Sequence, residues 1–228
     1  MFSGPHDLLL YTFLTPNCLK VSILLEELAL PYRIELTNMF RGDQSKPAFV
    51  QLNPNAKIPV LRNLADGMTL SESNAILVWL AEGAEQFIPA GGAGRRRCLE
   101  LLFLQASSIG PTFGLRTSFM ILAEQFEPGP SRRFMKESER LTDLTDTLLG
   151  EQPYLLGSEF SIVDIAFYPY FYFANLLGFP FDDRSRLTAW YERVSSRPGV
   201  KRGLKVPFES LPPMPKRQDM AARLEAVR

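Results

Sequence analysis

The chain has one histidine, His6, and two cysteines, Cys18 and Cys98, among its 228 residues. A lone histidine so close to the start leaves nothing to build a histidine-based triad or a His-rich metal site, so chemistry without a metal is expected. Two cysteines make no disulfide framework, and the default compartment is a reducing cytoplasm. A charge surplus is also missing: 25 Lys and Arg stand against 25 Asp and Glu. That balance gives no electrostatic case for nucleic acid or for an anionic membrane surface as partner. No apolar run reaches the roughly 18 residues of a membrane span. Met1-Phe2-Ser3-Gly4-Pro5-His6 lacks the basic start and apolar centre of a signal peptide.

What is present is an ordinary globular composition, 46% apolar and 22% charged, with enough length for two domains. Leu8 to Phe13 reads as a buried strand. Lys20 to Leu30 carries Val21, Leu24, Leu25 and Leu28 at helical spacing. Pro31 to Leu36 alternates like a strand, so the first three elements form a right-handed βαβ crossover with parallel strands. A polar loop, a short helix near Pro47 to Leu52, and a strand over Val60-Leu61-Arg62 follow. Asp66-Gly67 marks a hairpin to Met68-Thr69-Leu70, and a helix runs from Ser73 to Ala81. This βαβ-α-ββα order is that of a thioredoxin-like α/β domain, assigned to residues 7–83.

Residues 84–94, rich in glycine around Pro89, read as a linker. Residues 95–205 read as an all-helical domain. Its expected elements are a long helix bent or interrupted at Gly110-Pro111, an amphipathic helix over Phe134 to Leu149, and a capping-box start at Ser161-Ile162-Val163-Asp164 to a helix over Ile165 to Leu177. A last helix spans Leu187 to Ser196 and stops at Arg197-Pro198-Gly199. Residues 206–228 form a proline-rich tail with a short terminal helix.

The chemistry centres on Thr15-Pro16-Asn17-Cys18, where the first strand turns into the first helix. Pro16 suits a first helical turn and Asn17 is a favoured cap. The N-terminal end of a helix stabilises a thiolate. The four residues have the spacing of a redox Cys-x-x-Cys turn, with Thr15 where the first cysteine would stand. The site therefore handles a thiol that it does not itself supply, and Cys18 is assigned to packing.

Three further groups fit the same cleft. Ile58-Pro59, if cis, turns the Ile58 backbone toward an extended peptide ligand; an ordinary trans proline opening an edge strand is the commoner arrangement. Glu72 and Ser73 suit the two charges of an α-amino acid end, or are a plain helix cap with an acidic neighbour. Lys57 and Gln44 face a second carboxylate, or are solvated surface residues. Phe113, Leu115 and Arg116 line the upper cleft beside an acceptor, or mark only a kink. The aromatics between Phe167 and Phe173 are core by their spacing.

Together these motifs resemble the cytosolic glutathione transferases over Leu8 to Lys205. The nearest likeness is to the Nu or Ure2p-like class, through Thr15-Pro16-Asn17, Asn53-Pro54-Asn55-Ala56-Lys57-Ile58-Pro59 and Glu72-Ser73. The resemblance implies glutathione as cosubstrate, bound by Gln44, Lys57, Ile58, a cis Pro59, Glu72 and Ser73, with Thr15 and Asn17 near its sulfur. It also implies a homodimer in which Arg133 reaches the partner's site. The implied activity is a glutathione-dependent thiol reaction: reduction of a disulfide, or conjugation to a small electrophile as in detoxification. Alternatives are a silent binding or regulatory module and a biosynthetic enzyme acting on a secondary metabolite. The class often carries polar Gln, Asn or His after the glycine matching Gly114; Leu115 and Arg116 depart from that.

Overall fold

The computed structural model describes residues 7–210 and 220–227. His6 and residues 211–219 and 228 of the proline-rich tail fall outside the described residues. Strand β1 (Leu8–Thr12), helix α1 (Pro16–Glu27) and strand β2 (Tyr32–Leu36) form the expected crossover, with β1 and β2 parallel. The short helix α2 (Pro47–Val50) leads to strands β3 (Val60–Asn63) and β4 (Thr69–Ser71), both antiparallel to their neighbours, giving the order β2-β1-β3-β4. The turn between β3 and β4 forms at Asp66-Gly67: Gly67 has φ +78°, and the Asp66 carboxylate accepts from the Met68 N–H at 2.9 Å. Helix α3 (Ser73–Ala84) closes this α/β unit.

Helix α1 is not the one-faced helix that its apolar stripe implies. Every residue from Cys18 to Leu25 is buried, because the sheet and α3 cover one side while helices α7 (Ile162–Leu176) and α9 (Pro198–Gly203) cover the other. A helix enclosed on all faces must satisfy its polar residues internally. Ser22 does so by donating to the Gly203 carbonyl at 2.9 Å. That contact needs glycine, since a Cβ at Gly203 would lie 2.5 Å from the Ile23 Cα. Beside it, Arg197 forms a two-pronged ion pair with Glu27 at 3.0 and 2.6 Å. Arg197-Pro198-Gly199 stops helix α8 (Ser185–Ser196) as expected, and Pro198 then stands in the first turn of a further helix, α9.

Two boundaries move. Helix α4 (Gly92–Leu104) starts within the glycine run expected as linker, and helix α6 (Pro128–Leu149) starts at a proline ahead of Phe134. The interruption expected at Gly110-Pro111 takes the form of a π-turn. A π-turn over Gln105–Ile109 lets Gly110 N–H donate to the Gln105 carbonyl, and helix α5 (Gly110–Thr117) follows before a second π-turn at Ser118–Leu122. A wide turn accommodates the donor that proline lacks. The whole run Gly92–Leu122 has an 18-residue window of mean hydropathy 1.2, long and apolar enough by composition to cross a membrane. Buried Gln105 and Arg116 lie within it, and it packs against α6 and α7 as a helix of the bundle.

Helix α7 opens with the expected capping box. The fully buried Asp164 carboxylate accepts from the Ser161 N–H at 2.9 Å, the Ser161 hydroxyl at 3.0 Å, the Leu155 N–H at 3.0 Å and the Trp190 indole N–H at 2.8 Å. Burial pushes this carboxyl above its ordinary pKa while the four donors pull it back. Four donors and no acceptor suit an ionised group. The terminal helix α10 (Met220–Val227) docks on α6 and the second π-turn, with Arg223 donating to the Met120 carbonyl at 3.2 Å.

Candidate functional site

Thr15 ends the β1–α1 connection in extended backbone and caps α1, its Oγ1 accepting from the Cys18 N–H at 3.2 Å. The sequence favours Asn17 as cap; the structure puts Asn17 inside the first turn and sends its side chain across to other elements. Asn17 Oδ1 accepts from the Ser73 hydroxyl at 3.2 Å and from the Tyr170 hydroxyl at 2.7 Å. With the carbonyl end held by two donors, the NH2 end points the other way as a donor. Tyr170 comes from α7 and passes Gly110 closely: a Cβ there would lie 3.1 Å from the tyrosine oxygen.

Beneath Asn17 sits Lys20, only 1% exposed. Its ammonium donates to Ser73 Oγ at 3.2 Å, Asn74 Oδ1 at 3.0 Å and Gln105 Oε1 at 2.6 Å. Asn74 in turn donates to Gln105 Oε1 at 2.9 Å and to the Leu102 carbonyl at 2.8 Å. One buried network therefore ties α1, α3 and the first π-turn to the thiol turn. Burial lowers the Lys20 pKa to about 7, and the nearby Glu72 charge opposes the shift. Lys20, Asn74, Gln105 and Tyr170 escape a reading by motif. The available signal was a lysine inside the Leu19–Leu25 stretch, apolar otherwise except for Ser22.

Glu72, not Ser73, is the N-cap of α3, at φ +65° and ψ 107° and without a side-chain capping bond. For a residue with a Cβ that backbone costs about 1–3 kcal/mol and is held by its surroundings. Ser73 is the first helical residue, and its hydroxyl is taken by Asn17 and Lys20 rather than by the helix end. The Ile58-Pro59 peptide is cis. Because β3 begins at Val60, Ile58 lies outside the sheet ladder, while its side chain packs with Cys18 and Phe49 beside the thiol turn. Lys57 is exposed and its carbonyl accepts from Asn53 Nδ2 at 2.7 Å; Gln44 is half-buried, with Oε1 unpartnered among the described residues.

Cys18 is buried and burial raises its thiol pKa; Cys98 is pushed up to about 11. Both are free, and neither is a thiolate at neutral pH. Among the described residues no group of three or more His, Cys, Asp or Glu side chains could hold a metal ion.

The remaining candidates stand apart from the thiol turn. Arg133 is exposed on α6, and its neighbour Arg132 donates to the Ala226 carbonyl of α10 at 2.7 Å. Leu115 is partly exposed. Phe113 turns inward, its ring centroid 6.3 Å from that of Tyr170, and so supports the tyrosine that holds Asn17. Arg116 is buried on the far side of Phe113, in a separate cavity that no residue of the α/β unit lines.

Comparison with known proteins agrees with this geometry. Residues 15–82 match the glutathione S-transferase N-terminal domain, and residues 132–193 match the glutathione S-transferase C-terminal domain. The chain is 34% identical over 200 residues to the disulfide-bond oxidoreductase YfcG of Escherichia coli, covering 86% of this chain and 93% of that one. A glutathione transferase from Burkholderia graminis, solved with two glutathione molecules per subunit, superposes with a TM-score of 0.83 at 37% identity, covering 90% of each chain. URE2P8 from Phanerochaete chrysosporium, solved with oxidized glutathione, gives a TM-score of 0.80 at 26% identity over 88% of this chain and 95% of its own. By sequence, fold and the layout of its thiol turn, the chain belongs to the glutathione S-transferase family.

Proposed function

We propose that this chain binds glutathione in the cleft beside Thr15 and uses its sulfur as the nucleophile, with disulfide reduction as the principal reaction. The single observation that carries this is the chemistry of the thiol turn. Thr15 occupies the place of a redox cysteine, Cys18 is buried with a raised pKa, and a fixed amide donor stands at the helix N-terminus. The reactive sulfur then arrives with the ligand.

In this reading the Ile58 backbone pairs with the cysteinyl unit beside cis Pro59. Glu72 and the N-terminal end of α3 at Ser73 hold the γ-glutamyl end, and Gln44 and Lys57 face the glycyl carboxylate. Free glutathione has a thiol near the cysteine reference of about 8.5; a drop of ~2 units corresponds to roughly 2.7 kcal/mol of thiolate preference. The Thr15 hydroxyl, the Asn17 amide and the α1 N–H groups supply it. The thiolate attacks a disulfide sulfur, forming a glutathione mixed disulfide and releasing the other half as a thiolate. A second glutathione then displaces the remaining half, giving oxidized glutathione.

Hydroxyethyl disulfide reduction should exceed conjugation of an aryl halide; conjugation without disulfide turnover would reverse the order. Thr15→Ala and Asn17→Ala should each lower kcat/KM by about tenfold or more and move its acidic pH limb upward by about one unit. Unchanged turnover and pH profile in both would mean that another group activates the sulfur. Calorimetry showing no glutathione binding would leave a silent module of the same fold. We also propose a homodimer with Arg133 reaching the partner's site; Phe103, 71% exposed on α4, is the kind of residue such an interface covers. The compartment we assign is the reducing cytoplasm, in keeping with two unpaired cysteines.

A further inference from the structure

Arg116 is a buried charge with little to balance it. It is 4% exposed, and among the described residues no carboxylate lies within ion-pair distance. Its guanidinium is sandwiched between the rings of Phe113 and Phe179, at 4.4 and 4.1 Å from their centroids. One NH1 donates to Ser138 Oγ at 3.1 Å, while the buried Nε finds no acceptor. Taking a cation out of water costs several kcal/mol, and two aromatic faces with one hydroxyl recover only part of it. Burial lowers the Arg116 pKa to about 9, and the Glu139 charge, too far for an ion pair, opposes the shift.

This side chain lines a cavity of about 820 Å³ between α6, the end of α7 and α10, within the range of small-molecule sites. The apolar walls are Phe171, Phe179, Phe181 and Met135, and Leu224 and Val227 of α10 close one side. Arg132 and Lys136 add positive charge, against one lining carboxylate, Glu139. Arg184 also reaches the cavity, but its charge is met by Asp143 at 2.9 Å and by Asp183. A buried guanidinium without an ion pair in an aromatic chamber, with Arg132 and Lys136 also lining it, matches a ligand with a negatively charged end and an apolar body.

We propose that this cavity binds a small amphipathic carboxylate, its charged end on Arg116 and its apolar body against Phe171, Phe179 and Phe181. The site is independent of the glutathione reading, because no residue of the α/β unit contributes to it. The test is calorimetry on the full chain with 4-phenylbutyrate and with the neutral 4-phenylbutanol, each with and without saturating S-hexylglutathione. The acid should bind at one site per chain, about tenfold or more tighter than the alcohol, and S-hexylglutathione should not displace it. Arg116→Met, checked for folding by circular dichroism, should weaken the acid by about tenfold or more, and the surface variant Lys136→Glu by a factor of about three. Equal binding of acid and alcohol, displacement by S-hexylglutathione, or unchanged affinity in a folded Arg116→Met protein would overturn the proposal. If Arg116→Met does not fold, unchanged affinity in Lys136→Glu would overturn it alone.

Discussion

Replacing Asp164 with alanine should destabilise the protein by about 4 kcal/mol, a fall in Tm of roughly 12 °C for a chain of this size. The reason is the number of donors left behind. The Ser161 and Leu155 N–H groups, the Ser161 hydroxyl and the Trp190 indole all converge on one buried carboxylate. None can reach water without opening the start of α7. Asp164→Asn should fall between wild type and alanine, since one amide oxygen still accepts while the NH2 meets donors head-on. Urea unfolding with an unchanged m-value would check both variants. A loss below about 1 kcal/mol for alanine would mean that the four bonds only offset the cost of burying the charge.

Lys20→Met should produce the second large effect, in activity and in the pH dependence of stability. Methionine fills the space but donates to nothing, so Ser73, Asn74 and Gln105 lose their common partner. Asn17 then loses the support that fixes its donor toward the sulfur. We expect kcat/KM for glutathione to fall by about 10- to 100-fold, or roughly 1.4–2.7 kcal/mol. The stability signature has a definite sign. With the folded pKa lowered from 10.5 to about 7, the unfolded chain binds more protons throughout that interval. The wild type should therefore gain stability relative to Lys20→Met as pH rises from about 7 toward 10.5, by up to about 1.4 kcal/mol per pH unit, with no gain below pH 7. Parallel stability curves for the two proteins would show that the lysine titrates normally despite its burial.

The elements recognisable before folding are those set by nearby residues. Asp66-Gly67 specifies its own hairpin, Ser161 and Asp164 their own capping box, and the alternation after Pro31 its own strand. The misplaced features depend on contacts distant in the chain. The stripe at Val21, Leu24, Leu25 and Leu28 describes only one face of α1; α7 and α9 cover the others and convert Lys20 and Ser22 from surface residues into buried donors. At Gly110-Pro111 the interruption was legible because proline removes a donor, but nothing local reveals that it takes the form of a π-turn. The thiol turn lies between these cases. Thr15 and the cis Pro59 were legible from motif, whereas Asn17 as a bridge required Tyr170, from a helix more than half the chain away. Arg116 could be singled out as unusual, but not placed, since its cavity is assembled from α6, α7 and α10.

The contact of Gly203 on Ile23 also sets an order in time. On the ribosome, α1 emerges well before α9, which lies far along the chain from it. Until then Ile23 has no cover on that side and the Ser22 hydroxyl lacks the carbonyl it meets in the finished protein. A nascent chain ending before residue 198 carries every residue of the thiol turn, yet its central helix is open to water and to neighbouring chains.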